Sequence, residues 1–266
     1  MARVGIDAGG TLIKVVYEEK GYLHYKYYPI SKEKELLQWL QIFHSPAQFI
    51  LTGGRAEALK QKMAEAKIVD EFSVICAGAN YLLKEEGKQR SEYLLMNVGT
   101  GTSFFIHKNG KSERVLGTGL GGGTFIGLGK LLTGKSTFAQ LADLAGDGSK
   151  EEIDVLVKDI YESSSSPIDG NLTASNFGKA IFVQGGASDK AAALTNMIAE
   201  NLMLLAMLLI VKHSLSTIVF SGSGVSRHDY FQTRLAEFSN MFGYEAIFLE
   251  RGKYSGAVGA LLSANR

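Results

Sequence analysis

Two stretches of this chain read alike, and together they constrain its fold more than any other feature. Residues 3–8 read as a strand, Gly9-Gly10 as a tight turn, and 11–17 as a second strand with a third over 22–28. Residues 93–98 run in the same way into Gly99-Thr100-Gly101-Thr102-Ser103 and a strand over 104–107. Asn109-Gly110 then makes a good hairpin turn, and 113–116 returns. The starts near residues 3 and 93 form a weak internal repeat, and no short-period repeat competes with it. A chain that opens twice in this manner is expected to build two α/β halves.

The segments between fit that plan. After the first opening, Ser31 reads as an N-cap, with Leu36, Leu37, Leu40 and Phe43 at helical spacing. A strand over 49–52, a helix over 56–66, a strand over 67–69 and a helix over 77–86, stopped by Gly87, follow. After the second opening, the glycine-rich loop 117–123 leads into a helix over 124–132. Helices are expected over 137–145 and 151–161, with a serine loop at 163–166 before Pro167. Then come a long apolar helix over 188–213, a strand over 217–220, a helix over 230–238, a strand over 245–249 and a small-residue helix over 255–264. Residues 1–92 are taken as one lobe and 93–253 as the other, with the last helix, 254–266, expected to pack back on the first. The chain, 266 residues and 45% hydrophobic, is long enough for two modest cores.

Composition removes several classes of function. A net charge of +1 gives no reason to expect nucleic acid or an anionic membrane as partner. The lone cysteine, Cys76, permits no internal disulfide and fits a reducing, cytoplasmic setting. The N-terminus enters a strand at once, without a charged leader and apolar signal core. The longest apolar run, 202–211, falls short of the about 20 residues that span a bilayer. It reads as a helix buried all round, and homodimerisation is one way to bury it. The histidines His24, His44, His107, His213 and His228 have no metal-ligand spacing, and there is no G-x-S-x-G elbow.

The chemistry sits in the glycine turns. Glycines in a hairpin let the backbone approach a phosphate and aim N–H groups at it. Thr11 could bond a phosphate oxygen, Lys14 could add charge, and Asp7 could hold a Mg²⁺-bound water network. An ordinary hairpin would read much the same, but two such turns, each opening a lobe, can pinch a triphosphate between them. Gly119-Leu120-Gly121-Gly122-Gly123-Thr124 before a helix is a candidate anion site. Ser221-Gly222-Ser223-Gly224, after a buried strand, could approach an adenine or ribose. Gly129-Lys130-Leu131-Leu132-Thr133-Gly134-Lys135-Ser136 matches the P-loop pattern, yet its preceding residues look helical where that motif needs a strand. A helix ending near Gly134 is the better account.

The string Gly5-Ile6-Asp7-Ala8-Gly9-Gly10-Thr11-Leu12-Ile13-Lys14 resembles the start of the type II, eukaryotic-like pantothenate kinases, especially the staphylococcal branch. The likeness continues through Leu51-Thr52-Gly53-Gly54, Glu71-Phe72, Leu82-Leu83-Lys84-Glu85, Asn97-Val98-Gly99-Thr100-Gly101-Thr102-Ser103 and Arg114-Val115. It reaches Gly121-Gly122-Gly123, Gly127-Leu128-Gly129, Leu172-Thr173-Ala174-Ser175-Asn176-Phe177-Gly178 and Tyr254-Ser255-Gly256-Ala257-Val258-Gly259-Ala260, in order over essentially the whole chain.

The resemblance implies a two-lobed actin-like ATPase fold, of the acetate and sugar kinase, heat-shock chaperone and actin type, with a mixed sheet flanked by helices in each lobe. It implies a homodimer that uses ATP and Mg²⁺ to convert pantothenate to 4′-phosphopantothenate on the way to coenzyme A. Glu71 matches the family's general base, and Arg114 the arginine that steadies the substrate or the transferring phosphoryl group. Nucleotide contacts would fall on Asp7, Ala8, Gly9, Gly10, Thr11, Leu12, Ile13 and Lys14, on Thr100, on Gly122, Gly123, Thr124, Phe125 and Ile126, and on Phe138 and Ser223. Asp7 would meet the metal through water, Phe138 would pack on adenine, and Ala174 would line the pantothenate pocket. The chain departs from the family at Ser73, where an Asp is usual, and in the order of Gly117-Thr118-Gly119-Leu120. A sugar or N-acetylhexosamine kinase of the same fold more often places an Asp base near the second phosphate loop, and none follows Asn97. The remaining alternative is a non-catalytic nucleotide-dependent interaction protein.

Overall fold

Each opening hairpin becomes the centre of its own sheet. In the computed structural model, which describes residues 2–42, 47–161 and 168–264, the first half holds β1 (Ala2–Ala8), β2 (Leu12–Glu19), β3 (Tyr22–Pro29), α1 (Glu33–Ile42), β4 (Ala47–Thr52), α2 (Ala56–Lys60), β5 (Lys67–Ile68) and α3 (Glu71–Glu85). The second half begins with β6 (Tyr93–Val98), β7 (Thr102–Lys108), β8 (Lys111–Thr118), α4 (Gly122–Thr133), α5 (Phe138–Asp147), β9 (Val155–Leu156), α6 (Val157–Ile160) and β10 (Thr173–Ser175). It continues through α7 (Ala187–His213), β11 (Thr217–Ser221), α8 (Asp229–Met241) and β12 (Glu245–Phe248) to α9 (Ser255–Ser263). Phe43, His44, the 163–167 loop and residues 265–266 lie outside the described residues.

The two five-stranded sheets have orders β3-β2-β1-β4-β5 and β12-β11-β6-β7-β8. In each, the opening strand runs antiparallel to the next and parallel to a later one: β1 with β2 and β4, β6 with β7 and β11. This is the mixed-sheet pattern expected for each half. Strand alternation divides the side chains between two faces. Leu94 and Met96 point into a core with Phe104, Leu141, Leu202 and Leu235. Tyr93 and Leu95 point the other way, into a core shared with Val16, Leu82, Val219 and Val258.

That shared core joins the halves. It is filled by α3 and α9, which cross at glycines. A Cβ on Gly78 would collide with the Ser255 carbonyl, one on Gly259 with the Val74 carbonyl, and one on Gly5 with the Ala257 carbonyl. The last helix therefore packs on α3 and β1 of the first half, by backbone approach that only glycine allows.

Several elements depart from expectation. α2 stops at Lys60, because the chain tightens into three-residue turns (Lys62 N–H to Leu59 O, Met63 N–H to Lys60 O) before entering β5. Ser31 lies inside a 3₁₀ turn, not at a cap. α3 begins at Glu71 rather than 77, because Asp70 caps it: the Asp70 carboxylate accepts from Ser73 N–H at 2.8 Å. Residues 151–161 are not one helix. Buried Asp154 accepts from Phe177 N–H at 2.8 Å, and the chain pairs as β9 with β10, a strand the sequence did not announce. The P-loop look-alike starts inside α4 and runs past its end: Gly134, with a φ of 77° and its N–H to Lys130 O, marks the helix C-terminus.

The long helix also differs. It buries Leu194, Ile198, Leu202, Ala206 and Ile210 but exposes Leu204, Leu208 and Val211, so it is not buried all round. Its bounds match the expected 188–213 to within one residue, and at 27 residues it is by length and composition able to cross a membrane. In this fold 56% of its most apolar window is buried inside the protein.

Candidate active site

The two glycine turns face each other across a cleft of about 630 Å³, closed by the starts of α3, α4 and α9. In the first turn Gly9 N–H bonds Leu12 O at 3.1 Å, and Asp7 and Lys14, register partners on β1 and β2, form an ion pair at 3.2 Å. Gly53 follows β4, next to Asp7. Its φ of +92° is left-handed, and a Cβ there would lie 2.6 Å from Asp7 Oδ1. Gly9, Gly10, Thr11 and Leu12 line the cleft with Asp7 and Lys14. Ala8 and Ile13 do not: strand alternation turns both side chains into the first-half core.

In the second turn Gly99 N–H bonds Gly101 O at 2.8 Å, and α4 is docked onto it. Gly122 N–H donates to Gly99 O at 2.9 Å and Gly123 N–H to Thr100 O at 2.8 Å. Two of the helix's free N–H groups are thus spent on the turn rather than left for an anion, which revises the expected role of this glycine run. Thr100, Gly122, Gly123 and Ile126 line the cleft. Thr124 does not, its hydroxyl donating to Gly119 O at 2.7 Å, and Phe125 is buried in the second-half core.

Glu71 is the first residue of α3 and reaches the cleft beside Asp7. Its carboxyl is held above the ordinary glutamate range, first by burial and then by the nearby Asp7 charge; Lys14 pulls it back, and Asp70 raises it further. Among the described residues, Asp7 and Glu71 are the two carboxylates on the cleft wall. Asp7 is engaged by Lys14, which leaves Glu71 as the available proton acceptor. Ser73, the departure from the family pattern, gives its N–H to the Asp70 carboxylate and its hydroxyl to the Asp70 carbonyl at 3.1 Å, so it serves the cap that aims Glu71.

Arg114 on β8 comes to the same place. Its guanidinium carbon lies 4.6 Å from the centre of the Phe72 ring, next to Glu71, and its Nε donates to Ser103 Oγ at 3.3 Å. Phe138, beside Gly122, and Ser223 also line the cleft, while Ala174 does not line it. Ala174 is solvent-exposed on β10, in the separate β9–β10 ladder that Asp154, Asn196 and Glu200 tie to α7. The sequence reading missed two cations on the wall, Arg227 and Lys253. Their one signal was position: Arg227 follows the Ser221–Gly224 loop, and Lys253 precedes the Tyr254-Ser255-Gly256 start of the last helix. No group of three or more His, Cys, Asp or Glu able to hold a metal ion occurs among the described residues.

Comparison with known proteins accords with this geometry. A family model described as Fumble matches residues 18–263. A type II pantothenate kinase of Oceanobacillus iheyensis is 42% identical over 266 residues, covering 99% of this chain and all of that protein. Among solved structures, the Acidaminococcus fermentans (R)-2-hydroxyglutaryl-CoA dehydratase component A aligns with a TM-score of 0.67 at 17% identity, covering 99% and 97% of the two chains. A ROK family glucokinase from Streptomyces griseus, in complex with glucose and AMPPNP, aligns with a TM-score of 0.60 at 12% identity, covering 99% of each chain. These two likenesses establish the fold.

Proposed function

The chain belongs to the type II pantothenate kinase family and phosphorylates pantothenate with ATP, giving 4′-phosphopantothenate for coenzyme A synthesis; on that premise we propose how its residues divide the work. Glu71 takes the proton from the pantothenate hydroxyl as that oxygen attacks the γ-phosphorus. The bond between the γ-phosphorus and its bridging oxygen breaks, and ADP leaves. The observation that carries this role is that Asp7 is paired with Lys14, while Glu71 is half-buried, forms no ion pair among the described residues, and is raised in pKa. A base whose pKa lies nearer the working pH transfers protons more effectively. Arg114, held against Phe72, offers a cation to the transferring phosphoryl group, where catalysis is mostly positioning and charge stabilisation.

The two turns grip the nucleotide: Gly9, Gly10, Thr11, Lys14 and Thr100 at its phosphates, and Phe138 and Ser223 at its base and ribose. Mg²⁺ keeps several waters and takes one or two carboxylates along with substrate phosphates. A wall with Asp7 and no acidic cage fits an ion of that kind, which when bound would neutralise phosphate charge. We further infer a homodimer formed through α7, whose exposed Leu204, Leu208 and Val211 lie at helical spacing on one side; sedimentation of the purified chain tests it. A cytoplasmic setting accords with buried, unpaired Cys76.

Purified protein with Mg-ATP and pantothenate should release ADP and phosphopantothenate in equal amounts. Turnover with a sugar or amino sugar and none with pantothenate would overturn the assignment.

A further inference from the structure

Of the four cations on the cleft wall, only Lys14 has a carboxylate partner. Arg114 belongs with Glu71. The other two, Arg227 and Lys253, make no ion pair among the described residues and are held by aromatic rings instead. The Arg227 guanidinium carbon lies 5.7 Å from the ring centres of both Tyr27 and Phe138. Lys253 Nζ lies 4.6 Å from the centre of the same Tyr27 ring and 5.1 Å from that of Tyr254. Both cations are half-buried. The Lys253 ammonium is held below its ordinary pKa first by burial and then by the charge of Arg227, so the two repel each other. Two like charges drawn partly out of water without a counter-ion are costly, and an arriving anion removes that cost.

Their placement names the anion. Arg227 packs on Phe138, at the base end of the cleft. Lys253 stands just before α9, and a Cβ on the nearby Gly256 would lie 3.0 Å from Asp7 Oδ2, at the first phosphate hairpin. The pair therefore covers the stretch between Phe138 and that hairpin. Lys14, already neutralised by Asp7, cannot alone answer the charge of a triphosphate. We propose that Arg227 and Lys253 form a polyphosphate subsite that holds the α- and β-phosphates of the nucleotide, with Tyr27 of β3 as the post between them. The subsite also ties the halves together, because Tyr27 comes from the first and Arg227 from the second. It makes the cleft select nucleoside di- and triphosphates over the bare nucleoside. This rests on the reading of the cleft as a nucleotide site.

The test is calorimetric titration of the full chain and of Arg227→Gln and Lys253→Gln with ATP, ADP and adenosine, alongside steady-state kinetics. Each variant should lose about tenfold or more in affinity for both ATP and ADP, as expected for a lost charge-assisted contact, with adenosine binding unchanged. The KM for ATP should rise while kcat and the KM for pantothenate move far less, and Arg227→Lys should restore part of the loss. Without nucleotide, both variants should melt no lower than the parent, since a repulsion has been removed. Unchanged ADP affinity, an equal loss for adenosine, or a large drop in unliganded melting temperature would each overturn the subsite. If the parent chain itself binds no ATP, the nucleotide reading fails; if it binds and the variants bind equally well, the subsite alone fails.

Discussion

Laid over each other, the two halves share a topology but not a charge pattern. Asp7 stands opposite Lys14 on β2 and beside Thr52 on β4. Its counterpart Asn97 stands opposite Ser103 on β7 and beside Ser221 on β11. A left-handed glycine follows in each case, Gly53 at φ +92° and Gly222 at φ +97°. The next-equivalent helices, α3 and α9, follow the edge strands β5 and β12; α3 opens on Glu71, and α9 opens beside Lys253. The repeated geometry supplies a clamp. The unrepeated charges give it a direction: Glu71 and the Asp7–Lys14 ion pair in the first half, and in the second neutral hydroxyls with Arg114, Arg227 and Lys253, which have no carboxylate partner among the described residues.

The comparison breaks most sharply at Glu71. Glu71→Gln keeps the shape of the α3 start and removes the one carboxylate on the described cleft wall that has no ion-pair partner. Loss of a general base should lower kcat by about 10²–10⁴-fold, while ATP affinity, measured by titration, stays close to the parent's. The parent's kcat/KM should also fall on the acid side at a pH above the ordinary glutamate range, because burial and Asp7 raise this carboxyl. A pH–rate profile whose acid limb is unmoved in Glu71→Gln would assign that limb, and the base, elsewhere.

Next in size is the crossing that the two halves share. Gly78→Ala places a methyl group against the Ser255 carbonyl in the middle of the α3–α9 contact, where backbone rather than a flexible side chain must move. Overpacking of this kind costs about 1–3 kcal/mol and occasionally more; here it should sit at the upper end, since both sheets rest on the displaced helices. Urea denaturation measures it as a lower midpoint. Gly87→Ala at the end of α3 has open space around it, though its φ of 65° adds strain, and it should cost less. Equal losses at the two glycines would mean that backbone conformation, not the crossing, dominates.

Legibility followed local chemistry. The paired turns, the succession of strands around them and the decoy at Gly129 could be read from short stretches, because glycine pairs, apolar runs and helix stops act over a few residues. Glu71 could not: its helix begins there because Asp70 caps it, and its raised pKa comes from burial and from Asp7, which the sheet brings near. The resemblance to the family supplied the residue before any physical argument did. Adjacency in a motif places Ala8, Ile13 and Phe125 in the site, but strand alternation turns Ala8 and Ile13 into the first core, and the helical turn of α4 sends Phe125 into the second. Arg227 and Lys253 belong to no motif and became visible only as unpaired charge on a wall. The β9–β10 ladder was hidden for a related reason: buried Asp154 overrides the helical pattern of 151–161 through a contact with Phe177.

The last difference is in buried charge, and its net effect should be the smallest. Among the described residues, Lys150, Asp154 and His228 are the buried Lys, Asp and His, and all lie in the second half. His228, packed among Phe125, Phe138 and Phe231 with Thr195 at 3.2 Å, is pushed down to about 4 by burial. Its folded pKa is depressed, so the unfolded chain takes up the proton first, and stability is lost as pH falls from the ordinary histidine value toward 4. Asp154, beside Lys150, Asn196 and Glu200, is pushed up to about 6, again mainly by burial. Its folded pKa is raised, so the folded chain takes up the proton first, and stability is gained as pH falls from 6 toward the ordinary aspartate value. Each effect is worth about 3 kcal/mol over its full range; they have opposite signs in overlapping windows and should largely cancel. Asp154→Asn keeps an acceptor for Phe177 N–H and removes one side of the balance. Its urea midpoint should fall steadily between pH 6.5 and 4, where the parent's stays nearly flat. Parallel curves would mean that the two groups do not offset each other and that the second half holds its buried charges for some other reason.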